Sequence, residues 1–83
     1  MARTSSAAAA HIGSLINAER KKRSMSVDEL AVASKIDSSN IRGYEAGRAM
    51  MNVHSLVRIA EALEVEPGVL LAGVSSGMFV QER

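Results

Sequence analysis

The sequence has no cysteine and no tryptophan, a single proline, and one each of tyrosine and phenylalanine among its 83 residues. Without cysteine it can form neither a disulfide framework nor a thiolate zinc site. With two aromatic side chains it has no platform on which unpaired bases would stack, so a single-stranded nucleic acid is a poor partner. No stretch approaches the ~18 apolar residues of a membrane span. The opening residues, Arg3, Thr4-Ser5-Ser6 and Ala7 to Ala10, lack the apolar centre of a secretion signal. A cytoplasmic protein with no membrane partner is expected. Signs of catalysis are also missing. His11 and His54 have no ligand-spaced companion, no glycine-rich phosphate loop occurs, and Glu61, Glu64 and Glu66 have no nucleophile beside them and read as a solvated acidic surface. No metal, no cofactor, no enzymatic activity and no small-molecule ligand is expected.

What the sequence does have is enough apolar material, 47% of residues, for one small core. The near-neutral net charge of +1 hides an uneven distribution. Residues 20–48 carry seven bases (Arg20, Lys21, Lys22, Arg23, Lys35, Arg42, Arg48) against four acids, whereas residues 49–83 carry two bases against four acids. A basic middle points to an anionic partner, or to a solvated basic helix end.

Periodicity and capping residues predict five helical segments and no strand. The first covers residues 8–22, with Ile12, Leu15 and Ile16 on one face and basic residues at its end. The second begins at Ser26, where Ser26-Val27-Asp28-Glu29 has the spacing of a capping box. Asp37 caps a third, to Glu45, that buries Ile41 and Tyr44, and Gly47 supplies a left-handed end. Asn52 caps a fourth, residues 53–63, in which Leu56, Ile59, Ala60 and Leu63 recur at i, i+3, i+4, i+7. Pro67 opens a short fifth reaching Leu71. The expected division is a flexible segment over 1–10 whose alanines extend the first helix, a folded domain over 11–72, and a Gly/Ser-rich tail over 73–83. The tail's apolar Met78-Phe79-Val80 is expected either to join a dimer or to be a disordered end.

The second and third segments are separated only by Lys35-Ile36-Asp37, which forces a steep crossing. Ala31 provides the small contact, Ile36 plugs the crevice and Ile41 packs back. From Ile12 to Leu71 the pattern resembles the Cro/C1-type (XRE-like) helix-turn-helix family of phage repressors and bacterial regulators. The resemblance runs through Ile12-Gly13, Ile16, Arg20, Ser26, Glu29-Leu30-Ala31, Ile36, Ser39, Ile41, Tyr44-Glu45, Gly47 and Arg48. It continues through Leu56, Ile59-Ala60, Leu63, Val65 and Leu70-Leu71. It implies an all-α, five-helix, lambda-repressor-like domain with the helix-turn-helix at helices 2 and 3. It also implies a partly buried ion pair between Arg20 and Glu45.

By the same resemblance the third helix enters the major groove of double-stranded DNA. Ser38, Ser39 and Gly43 then take base-reading positions, while Asn40 and Arg42 lie nearer the backbone. Asparagine can pair bidentately with adenine and arginine with guanine, and Arg42 is long enough to reach either bases or phosphates. Arg48 stands where a phosphate contact is frequent. The expected protein is a sequence-specific transcriptional regulator acting as a homodimer on a pseudo-palindrome. Three residues depart from the pattern. Val27 replaces a frequent phosphate-binding glutamine, Lys35 a frequent turn glycine, and Gly43 offers no side chain for reading. They motivate an alternative, a protein-interaction adaptor, antitoxin-like or coactivator-like, that has kept the fold and weakened its DNA reading.

Overall fold

The computed structural model describes residues 6–79, and all their regular structure is helical. Four α-helices follow one another: α1 (Ala7–Lys22), α2 (Val27–Ser34), α3 (Ser38–Glu45) and α4 (Val53–Leu63). Two single 3-10 turns, Pro67–Leu71 and Ser76–Phe79, complete the described chain. The expected fifth helix is therefore one 3-10 turn. Pro67 lacks an amide donor, Gly68 is a weak helix former, and Ala72 already turns to an extended ψ of 125°.

Local capping fixes most of the boundaries. The Ser26 hydroxyl accepts from the Glu29 amide at 3.0 Å, and the Glu29 carboxylate accepts from the Ser26 amide at 2.7 Å. The capping box is thus complete. Asn52 accepts from the Ser55 amide at 2.8 Å to start α4. Within the expected flexible segment over 1–10, the alanines from Ala7 are helix, and residues 1–5 lie outside the described ones. The Ser6 hydroxyl caps this extension by accepting from the Ala9 amide at 3.1 Å, and Ser6, Ala8 and Ala9 are buried. The reason lies across the fold. Gly47, at φ 75°, brings the chain after α3 against α1, where an added Cβ would lie 2.8 Å from the Ala10 Cα. Only very small side chains fit between the two segments.

One core holds the helices together. Ile12 and Ile16 of α1, Leu30 of α2, Ile41 of α3, Ile59 and Leu63 of α4 and Leu70 of the following turn form one buried cluster. Each such side chain contributes about 1.5–3 kcal/mol on burial. Ile36, in the turn between α2 and α3, is buried in the same cluster and locks the two helices at their junction. Gly13 sets the distance between α1 and α3. A Cβ there would stand 2.1 Å from the Tyr44 carbonyl oxygen, so glycine alone permits the contact.

Candidate nucleic-acid interface

Helix α3 is held from behind and open in front. Behind it, Ile41 is fully buried. Beside it, Glu45 receives a fork of charged hydrogen bonds from α1, Arg20 Nε to Oε2 at 2.7 Å and Arg20 Nη2 to Oε1 at 2.9 Å. Asn17 Nδ2 adds a third at 2.8 Å, and Arg20 Nη1 donates to the Met25 carbonyl at 2.8 Å. The paired side chains are only 12% and 8% exposed. Burial by itself would raise the Glu45 carboxyl. The hydrogen bonds from Arg20 and Asn17 outweigh it and hold the group below its ordinary range. The Glu45 carboxylate in turn pushes the Arg20 guanidinium above its ordinary value. The ion pair implied by the family resemblance therefore exists, and Asn17 belongs to it.

The front of α3 carries the expected contact residues. Ser39, Asn40 and Arg42 are exposed, while Ser38 and Gly43 are half-buried. A Cβ on Gly43 would meet nothing within 4 Å, so this position is open. Asp37 caps the helix by accepting from the Ser39 amide at 3.2 Å and from the Ser39 hydroxyl. The Ser39 hydroxyl is therefore turned toward its own cap in the free protein. Arg48 is exposed beyond the end of α3, after the reversal at Gly47.

The turn between α2 and α3 keeps the left-handed geometry that the family usually gives to glycine. Lys35 adopts φ 60°, ψ 37°, at a cost of about 1 kcal/mol for an L-residue. Arg58 of α4 secures the turn: its Nε donates to the Ser34 carbonyl at 3.0 Å and its Nη2 to the Lys35 carbonyl. These oxygens belong to the end of α2, which has no basic residue of its own in its last turn. Sequence reasoning missed Arg58 because its partners lie 23 and 24 residues away. The one available signal was a cation at an otherwise apolar stretch of α4.

Four of the seven basic residues in 20–48 stand beside an acid, and only Arg20 does so largely shielded from water. Arg20 is bound to Glu45, and Lys22 and Arg23 both pair with Glu19 on α1. Arg42 Nη2 lies 3.7 Å from Asp28 Oδ1. Lys21, Lys35 and Arg48 have no acidic partner among the described residues. The N-terminus of α2 is also less open to phosphate than an uncapped helix, since two of its amide groups are taken by the capping box and Asp28 and Glu29 occupy its first turn. Among the described residues no three potential metal-binding side chains gather, and no helix is long and apolar enough to cross a membrane.

A short helix, a tight left-handed turn and a second helix with its polar edge outward define a helix-turn-helix protein. The sequence profile of the family described as Helix-turn-helix (HTH_3) matches residues 16–70. The chain belongs to that family. Solved structures agree with the fold. The restriction-modification controller protein C.AhdI from Aeromonas hydrophila is 27% identical, with a TM-score of 0.74, over 75% of this chain and 94% of its own. The clp gene regulator ClgR from C. glutamicum is 22% identical, with a TM-score of 0.75, over 88% and 95%. An HTH_3 family transcriptional regulator from Vibrio cholerae is 22% identical with a TM-score of 0.76. This chain covers 38% of that protein, and the match takes in 81% of this chain. No curated protein sequence matches the chain closely enough to count as a relative. Family and fold together make this chain a DNA-binding transcriptional regulator.

Proposed function

We propose that the chain is a cytoplasmic homodimer that binds a pseudo-palindromic duplex through α3. The observation that carries this reading is the arrangement of α3: anchored on its inner side by Ile41 and Glu45, open along Ser38, Ser39, Asn40, Arg42 and Gly43. Ser38, Ser39 and the backbone at Gly43 face bases in this reading. Asn40, Arg42 and Arg48 lie along the sugar-phosphate rim, with Arg42 able to reach a guanine.

A single α3 spans few base pairs, so selectivity needs two copies one helical turn apart. The surface for the second copy is an apolar groove of about 310 Å³ between the start of α4 and the two 3-10 turns. Val53, Leu71 and Phe79 line it and stay 78%, 42% and 49% exposed, which is costly in a permanent monomer. Phe79 belongs to the apolar cluster expected in the tail, and Val80 lies outside the described residues.

The test is titration of duplex DNA at several salt concentrations. Binding should weaken linearly in log–log form. Arg48→Ala should flatten the slope by about 1.8 per bound dimer, because one phosphate per subunit is no longer neutralised. Salt-insensitive absence of binding would instead favour an interaction adaptor on the same fold. Sedimentation of a Val53→Glu variant should show a monomer where the parent is a dimer.

A further inference from the structure

The pair formed by Asp28 and Arg42 has no role in holding the fold. Its two side chains are 78% and 55% exposed, and they meet at 3.7 Å without a hydrogen bond. Yet it joins the first turn of α2 to the outward face of α3, the two elements that would straddle a DNA backbone. Asp28 is also not alone there. The open cleft between α2 and α3, about 450 Å³, has Asp28 on one side and Asp37 and Ser38 on the other. A phosphate approaching this cleft meets two carboxylates, and Arg42 lies beside one of them.

Resting on the DNA-binding reading above, we infer that Asp28 holds Arg42 away from the duplex and so lowers affinity for matched and unmatched DNA alike. The competing contacts are of comparable magnitude. An exposed ion pair favours its closed form by a factor of about five at most. One phosphate contact by a solvated arginine is of similar size, so on random DNA Arg42 gains little by exchanging Asp28 for a phosphate. A bidentate contact to guanine favours the correct base by roughly 5- to 150-fold and wins the exchange. A matched site therefore carries the whole cost of opening the pair, while on random DNA Arg42 can stay with Asp28 and the cost is only partial.

The experiment measures affinity for two duplexes across a salt series, one of random sequence and one selected from a random pool by the parent protein. Asp28→Asn should tighten binding to the random duplex about three- to fivefold per subunit and steepen its log–log salt slope by about 1.8 per bound dimer. Binding to the selected duplex should tighten at least as much, so that selectivity does not fall. Asp28→Glu should restore both values, and in an Arg42→Ala background Asp28→Asn should leave the slope unchanged. The same steepening without Arg42 would overturn the proposal, since Asp28 would then act as a bare charge. Unchanged random-duplex affinity alongside intact selective binding would overturn it as well. A parent that selects no duplex would refute the DNA-binding reading and this proposal with it, an outcome separate from the other two.

Discussion

Two ion pairs leave α3, and they sit in opposite surroundings. Glu45, at the end of the helix, is buried with Arg20, shares its oxygens among three donors and fixes α3 against α1. Arg42, one turn earlier on the outer face, meets Asp28 at 3.7 Å in open water. The first pair is part-buried, with both side chains largely shielded from water, so each depends on the other. The second lies where water competes for both, so either can leave for a better partner. A regulator of this kind needs both arrangements on one short helix: a fixed inner edge, so that its outer edge has a defined register, and outer charges that are free to exchange.

The largest effect tests the buried side of this contrast. Arg20→Ala strands the Glu45 carboxylate and should cost about 3–5 kcal/mol of folding stability, read from urea denaturation. A loss below about 1 kcal/mol, the range of exposed pairs, would show that the pair is solvated after all. The pH dependence sharpens the same point. The Glu45 carboxyl is lowered in the folded state from an ordinary value near 4.5. Its contribution is therefore complete above that value and is lost as pH falls through the folded-state value. Glu45→Gln should be less stable at neutral pH and lose less stability on acidification than the parent.

Next comes Arg58→Ala, which leaves the Ser34 and Lys35 carbonyls without their charged donor and should cost about 1.5–3 kcal/mol. Thermal melting checks it, and an unchanged midpoint would mean that water replaces the guanidinium without penalty. A gain is expected at Gly43, where an added methyl meets nothing and glycine weakens the helix: Gly43→Ala should stabilise by about 0.5–1 kcal/mol. If that variant also binds DNA less tightly, the backbone at Gly43 approaches the duplex closely. The smallest effect belongs to the exposed pair. Asp28→Asn should alter stability by less than about 0.5 kcal/mol while changing DNA binding, the reverse of the pattern at Arg20.

Much of the helix-turn-helix was legible in the chain itself. Ser26 with Glu29, Asp37 and Asn52 act on amides two or three residues away, so their spacing along the chain is already their geometry. The Arg20–Glu45 pair was legible for a different reason, through resemblance to a family that carries the same two positions. Asn17, Arg58 and Asp28 were not legible as partners of Glu45, Lys35 and Arg42. Nothing near Asn17 in sequence says that an α3 carboxylate will stand within 2.8 Å of its amide. The basic middle of the sequence pointed to an anionic partner, as the DNA-binding family bears out, but it did not say which of its cations stand free. Counting charges cannot tell which of them fold onto an acid, and Arg20, Lys22, Arg23 and Arg42 all do.

The sequence by itself determined where α2, α3 and α4 begin, which side chains turn inward, and that α2 and α3 must cross at a short turn. These depend on hydrogen bonds and apolar spacings within a few residues. The tertiary structure decided the rest: that Ala8 and Ala9 are buried in a helix that Gly47 closes upon, that a left-handed Lys35 is secured by Arg58, and which cations remain free to meet an anion. Each of these depends on groups brought together from distant parts of the chain, and only packing around the shared core sets their distance.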